Sequence, residues 1–395
     1  MQGAVGTKPV TGFRVRPVRF HELDEETISR WALLEERALE SNAYLSPRFV
    51  IPAVRHLTGP KETPEILFLF VERANGGVDG LSGAGVFQRS TGTPSLPFPH
   101  LKAFLSPHSF LSGLLIDRNE AEAVARAFFR FFCRKEEPWH GVEFPCGASE
   151  GSQARLIAAA AEECGATWHE SSATRRAIFV PGDGGEKYLQ EHVSSRRAKI
   201  LRQVRRRLEE QGEVRWRALF GSGIGSDSVN RFLELEHMGW KGEQGTSLLA
   251  RPSHEAFFRE MVEAFRVNER LFFTELSLED RVIASTVNLI SGGAGFAFKI
   301  GWHADYSKLS PGMLNEVEFI RRAPALCGGL SYIDSGAEEG SFIDHLWCGR
   351  RGLSSGIFAT SSSGRRILRG VEYMRRIKRY CMSFKHRGVG HSPPP

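Results

Sequence analysis

The stretch from Leu271 to Asp334 constrains the fold more than any other part of the chain. The apolar run LFFTELSL is followed by the turn Glu279-Asp280-Arg281 and a second apolar run, Val282–Ile290. Then come a Gly-rich turn, the aromatic run GFAFKIGWH, Ser310-Pro311-Gly312 at the head of a helical pattern, and a short apolar run ending at Asp334. Short runs rich in β-branched and aromatic residues, cut by turn residues, read as strands. Ser-Pro-Gly before a periodic apolar pattern reads as a helix start. The predicted order is strand, hairpin, strand, loop, strand, helix, strand.

The first half repeats this grammar. A polar leader, residues 1–16, precedes a helical period over Leu23–Leu39. Leu67–Glu72 and Leu81–Gln88 flank the turn Asn75-Gly76-Gly77 as a second strand pair. Leu111–Asp117 reads as strand or turn. Glu120–Cys133 and Ser152–Cys164 predict helices, and Gly141–Pro145 and Arg176–Val180 predict short strands. Pro181-Gly182-Asp183-Gly184-Gly185 is the best linker. Beyond it, one long basic helix is expected over Lys187–Gln211, a strand over Val214–Phe220, and helices over Ser228–His237 and Ser253–Asn268. The two halves share element order without close residue identity. The expected organisation is therefore two related domains, residues 17–185 and 186–350, with a basic C-terminal helix and disordered tail over 351–395.

A chain of 395 residues, 41% hydrophobic, can bury two such cores. No run reaches the roughly 18–20 apolar residues of a membrane span, and the first residues lack an apolar signal core. A cytoplasmic protein is expected. The six cysteines form no C-x-x-C pair and read as reduced thiols. The net charge of +6 is uneven: Arg350–Pro395 carries +10 and Glu186–Gly212 carries +4, which leaves −8 on the rest. Binding to a polyanion would rest on those two segments, and DNA is not an expected partner. There is no Gly-Lys-Ser/Thr phosphate loop and no histidine pair at ligand spacing, so no metal is expected. Gly221-Ser222-Gly223-Ile224-Gly225 lacks a following lysine and reads as a loop.

Three motifs appear in a fixed order: SSRRAKILRQVRRRLEEQG (Ser194–Gly212), EHMGWK (Glu236–Lys241) and YSKLSPGML (Tyr306–Leu314). With a softer match at His108-Ser109-Phe110 before Gly113-Leu114-Leu115, they resemble GNAT acyltransferases of the CelD type. That branch is associated with cellulose and other exopolysaccharide synthesis and is related in fold to the FemABX peptidyltransferases. The resemblance implies an α/β fold of tandem GNAT-like domains, each a mixed, mostly antiparallel sheet flanked by helices. It implies an enzyme that moves an acyl group from acyl-CoA, acetyl-CoA foremost, to an amine or hydroxyl of a sugar or cell-envelope or exopolysaccharide precursor. A FemABX-like aminoacyl-tRNA-dependent transferase and a non-catalytic adaptor with a degenerate acyltransferase fold are the alternatives.

The same resemblance gives the candidate residues their roles. Ser310, Pro311, Gly312, Met313 and Leu314 take the place where GNAT enzymes receive the pyrophosphate of CoA on a helix N-terminus. Ser310 would be the N-cap and Gly312 would allow close approach. The sequence lacks the richer Gly-x-Gly/Ala pattern of that family at this turn, and a plain helix start is the competing reading. Glu275, Asp305 and Tyr306 are the candidate acid–base groups. Trp240, Lys241 and Lys299 are candidates for the acceptor side, Lys299 because alternation along FAFK turns it away from Phe296 and Phe298. Glu316 and Glu318 read as surface charges. The basic face of 187–211 is a candidate contact for an anionic ligand. The amphipathic pattern over Arg365–Lys385 is expected to dock on the protein rather than on a membrane.

Overall fold

The computed structural model describes residues 12–74, 80–93, 96–238 and 240–373. Its strands are β1 (Phe13–Arg19), β2 (Ile66–Arg73), β3 (Gly83–Ser90), β4 (His100–Ala103), β5 (Leu115–Ile116), β6 (Gly141–Ala148), β7 (Thr167–Phe179), β8 (Val214–Phe220), β9 (Leu271–Leu278), β10 (Arg281–Ser291), β11 (Ala294–Trp302), β12 (Ile333–Asp334) and β13 (Gly349–Ala359). The helices are α1 (Glu25–Glu36), α2 (Pro47–Leu57), α3 (Ala121–Phe132), α4 (Ser152–Glu163), α5 (Glu186–His192), α6 (Ser195–Glu209), α7 (Ser226–His237), α8 (Trp240–Glu243), α9 (Pro252–Arg266) and α10 (Pro311–Cys327). One mixed, mostly antiparallel sheet runs in the order β1-β2-β3-β4-β6-β13-β7-β12-β11-β10-β9-β8, with β5 beside β3.

The hairpin expected from Leu271 onward is present, Thr274 facing Thr286 and Phe273 facing Val287 in the β9–β10 register. Other expectations change. The leader is not polar throughout, because Phe13, Val15 and Val18 alternate with arginines and form edge strand β1 against β2. The long basic helix is two helices. The break falls at Val193-Ser194, where Val193 is extended and the Ser194 hydroxyl accepts from the Arg197 N–H at 3.4 Å as an N-cap. The segment from residue 351 opens as a strand, not a helix: β13 inserts between β6 and β7, antiparallel to both. Residues 362–373 are then helical, with Leu368 buried against Phe98, Ile357 and Ala359. The rest of the expected Arg365–Lys385 helix lies outside the described residues.

Packing ties the halves together. Trp31, Phe49, Phe68 and Phe70 from the first half share one core with Phe232, Phe257, Phe273 and Phe298 from the second. The α2–α9 pair carries this contact, with Phe49 and Phe257 edge to face at 5.4 Å. Helices α3 and α4 cover β1–β4 and β6 through a second core. Helices α5, α6 and α10 cover the second half through a third core, built on Leu276, Phe272, Phe319 and Trp347.

Behind the junction of the halves, Asp334 of β12 is fully buried. It meets Arg351 of β13 at 3.0 Å and Arg176 of β7 at 3.5 Å. Arg176 also donates to the carbonyls of Phe110 (2.7 Å) and Ala337 (3.1 Å). One carboxylate thus pins three strands and two loops, and the arrangement costs little only because every charge in it has a partner.

Candidate active site

Strand pairing between β11 and β12 lasts for two residue pairs, Gly295–Ile333 and Phe296–Asp334. Beyond them the strands part, and the chain after β12 turns away at Gly336. This residue has φ of 62°, and a Cβ there would lie 2.7 Å from the Ala297 carbonyl oxygen. Only glycine meets both conditions without strain. The parting opens a cavity of about 680 Å3 lined by Ala297, Phe298, Lys299 and Ile300 of β11, by Ser335–Glu338, and by His108, His254, Arg251, Glu316 and Trp347.

Glu316 sits on the second turn of α10 and is 5% exposed. Its Oε1 accepts from the Thr286 hydroxyl at 2.9 Å. Asn315 donates to that same hydroxyl oxygen at 3.1 Å and to Thr274 at 2.9 Å. Trp216 donates its indole N–H to Asn315 Oδ1 at 2.8 Å, which fixes the amide orientation. The Thr286 oxygen is therefore already taken as an acceptor, and its own proton points at the carboxylate. Burial outweighs this one hydrogen bond and pushes the Glu316 carboxyl up to about 7. A carboxyl that ionises near neutrality, facing a cavity, is suited to take a proton from a nucleophile.

The opposite wall carries basic side chains, Arg251 and Lys299 beside a histidine pair. His108 Nε2 lies 3.2 Å from His254 Nδ1, and the His108 ring stacks on Phe257. Burial, then the charges of Arg251 and Lys299, hold His254 below its usual value. Lys299 approaches Glu236 of α7 at 3.6 Å. Its orientation differs from simple alternation because the β10–β11 register shifts between Val287 and Asn288, leaving Phe298 out of the pairing.

The other sequence-derived candidates are dispersed. Glu275 is fully buried on β9, but it is ion-paired to Arg217 at 2.6 Å and Arg231 at 3.4 Å and does not line the cavity. That pairing is sufficient reason for a buried carboxylate there. Asp305 and Tyr306 stand on the turn Ala304–Leu309 after β11, outside the cavity lining. The Asp305 side chain is 77% exposed, and Tyr306 packs edge-on to His303. Ser310 takes the N-cap position of α10, its carbonyl accepting from the Leu314 N–H at 3.1 Å, but it is left-handed (φ 49°) and its hydroxyl makes no cap bond. Pro311, Gly312 and Leu314 are buried at the start of α10, with Met313 partly buried. At Gly312 a Cβ would lie 3.1 Å from Ile300 Cδ1, so this glycine seats the helix on the cavity wall. Trp240 and Lys241 belong to α8, and their side chains lie outside the described residues. Glu318, like Glu316, is not a surface charge: it is 7% exposed and holds Arg205, Arg321 and Arg322. The run Gly352-Leu353-Ser354-Ser355-Gly356 has the G-x-S-x-G spacing of a hydrolase elbow, yet it lies inside β13 rather than at a strand-to-helix turn.

Glu316 was the residue that sequence reasoning missed. Its signal was positional: Gly312, Asn315, Glu316, Phe319, Ile320 and Ala323 form one buried stripe at helical spacing, with two polar residues inside it.

Residues 194–342 match the family model described as acetyltransferase (GNAT) domain. No curated protein matches the chain. Among solved structures the chain is similar to FemX, at 10% identity and a TM-score of 0.54, over 84% of this chain and 95% of that one. It is similar to the C-terminal domain of a putative lysylphosphatidylglycerol synthetase from Agrobacterium fabrum, at 10% identity and a TM-score of 0.51, over 87% of this chain and 93% of that one. A conserved protein of unknown function from Bacteroides thetaiotaomicron aligns at 13% identity and a TM-score of 0.51, over 87% of this chain and 99% of that one. The parted β11–β12 pair and its cavity fall within or beside the segment that matches the acetyltransferase (GNAT) domain model, in a chain whose fold is similar to that of FemX.

Proposed function

We infer that the protein transfers an acyl group from acyl-CoA to an amine or hydroxyl of a sugar or cell-envelope precursor, in the cavity between β11 and β12. The observation that carries this reading is Glu316, a buried carboxyl facing that cavity and ionising near pH 7. In the reaction, the Glu316 carboxylate takes the proton as the acceptor nitrogen or oxygen attacks the thioester carbonyl. The tetrahedral oxyanion collapses, the carbon–sulfur bond breaks, and the thiolate leaves to be protonated as free CoA. No acyl-enzyme is needed. Arg251 and Lys299 give the cavity a cationic side for the anionic groups of donor or acceptor, and the His108–His254 pair adds ring nitrogens beside them. The start of α10, Ser310–Leu314, is the proposed seat of the pyrophosphate.

A second reading, transfer from aminoacyl-tRNA, is favoured by one observation. Arg196, Arg197, Lys199, Arg202 and Arg207 of α6 carry no ion pair among the described residues and can face a polyanion. Incubation with acetyl-CoA and a panel of amino sugars, followed by thiol titration, separates the two. Acceptor-dependent release of CoA supports the first reading. Absence of release with every acceptor, together with transfer from aminoacyl-tRNA, supports the second.

A further inference from the structure

The first half holds a cavity of its own, about 330 Å3, between α4, β6, β7 and the segment after Phe110. Phe144, Ile157, Trp168 and Phe358 form its apolar walls, with Trp168 and Phe358 ring centroids 4.6 Å apart. Two polar side chains in this lining are more than nine-tenths buried and have an atom with no protein partner: the Ser112 hydroxyl and Gln153 Oε1. Neither is loose. Gln153 donates its amide nitrogen to the Leu114 carbonyl at 3.0 Å, which leaves Oε1 as a fixed acceptor. The Ser112 N–H donates to Cys146 at 3.1 Å and its carbonyl accepts from Asn42 at 3.3 Å, which holds the hydroxyl in place. Buried polar atoms are nearly always satisfied, so an orphaned pair beside a cavity marks groups that a ligand completes. Exposed Glu170 adds negative charge to the same lining, whereas half-buried Glu40 is ion-paired with Arg351.

We propose that this cavity is a second ligand site, for a single pyranose ring that presents hydroxyl and amino donors. Gln153 Oε1 can only accept, so the ligand must donate to it. The aromatic walls suit the C–H face of a ring, and the Glu170 carboxylate favours an amino group over a neutral or acidic one. The volume is at the lower end of small-ligand sites, roughly 300–1,000 Å3, which admits one ring and excludes a CoA-sized molecule. The site is separate from the transfer cavity but shares a wall with it. Pro107, His108 and Phe110 line the larger cavity, and Leu111, Ser112 and Gly113 line this one.

The test is saturation-transfer NMR with D-glucosamine and D-glucose on the full chain, with no acyl donor present. Glucosamine should bind more tightly than glucose. Gln153→Leu should weaken it by about tenfold, the effect of one lost ligand hydrogen bond. Trp168→Ala should weaken it by at least as much and serves as the second variant if Gln153→Leu does not fold. No binding of either sugar to the wild-type chain would overturn the proposal. So would binding that neither variant alters but that Ala337→Trp, which fills the larger cavity, abolishes. Because no donor is present, glucosamine binding in a protein that fails to bind acyl-CoA would uphold this site while removing the transfer reading.

Discussion

Replacing Glu316 by Gln is expected to lower the transfer rate by about 10²–10⁴-fold, the usual contribution of a positioned general base. The amide keeps the shape and can still accept from Thr286, so the loss should fall on kcat with acyl-CoA affinity little changed. In the wild type, the rate should rise with pH through about 7, as the carboxyl ionises. In Glu316→Gln that rise should vanish. Stability should move the other way. The folded carboxyl is raised from 4.5 to about 7, so between those values the folded state binds more protons than the unfolded chain. Stability attributable to this group is highest below pH 4.5, falls as pH rises, and is fully lost above about 7, a change on the order of 3 kcal/mol. Denaturant melts should therefore show Glu316→Gln more stable than wild type at about pH 8 and nearly equal to it at about pH 4. A wild-type rate that is flat across neutrality and unaffected by the substitution would remove Glu316 from the chemistry.

Ending the chain at Cys348 is expected to unfold the first half rather than trim a tail. It removes β13, which is hydrogen-bonded to β6 on one side and β7 on the other. It also removes the buried side chains of Leu353, Ile357 and Phe358, each worth roughly 1.5–3 kcal/mol. Arg351, which neutralises buried Asp334, goes with them. Together these losses rival the whole stability of an ordinary domain, roughly 5–15 kcal/mol. Soluble yield and a thermal melt followed by circular dichroism check this. A truncated chain that melts within a few degrees of the full one would show that β13 is dispensable.

Local pattern made much of the fold legible. The β9–β10 hairpin and helix α3 are written in alternation and helical period, with terminal residues shifted by one or two. What escaped depends on distant partners. β13 reads GRRGLSSGIFA, weakly apolar and rich in glycine and serine, and becomes a strand because β6 and β7 leave a gap for it. Such non-local pairing has no local signature. The break between α5 and α6 was written in Ser194, yet continuous periodicity across Val193 masked it. In the site, Lys299 was legible as an unusual charge in a strand, but its direction depends on a bulge that alternation does not reveal. Glu275 was legible as a strand carboxylate, while its partners Arg217 and Arg231 lie 58 and 44 residues away in the chain. Glu316 was hidden by the assumption that a glutamate on a helix faces water.

The central claim, that the opening between β11 and β12 holds an acyl donor, is tested most directly by calorimetric titration of acetyl-CoA into the full chain and into Ala337→Trp. Ala337 lines the cavity on the loop after β12, and an indole there occupies the donor's space. Saturable one-to-one binding to the wild type, lost in Ala337→Trp while the variant melts like the wild type, is the predicted result. No binding to the wild type, or equal binding to both, would contradict it.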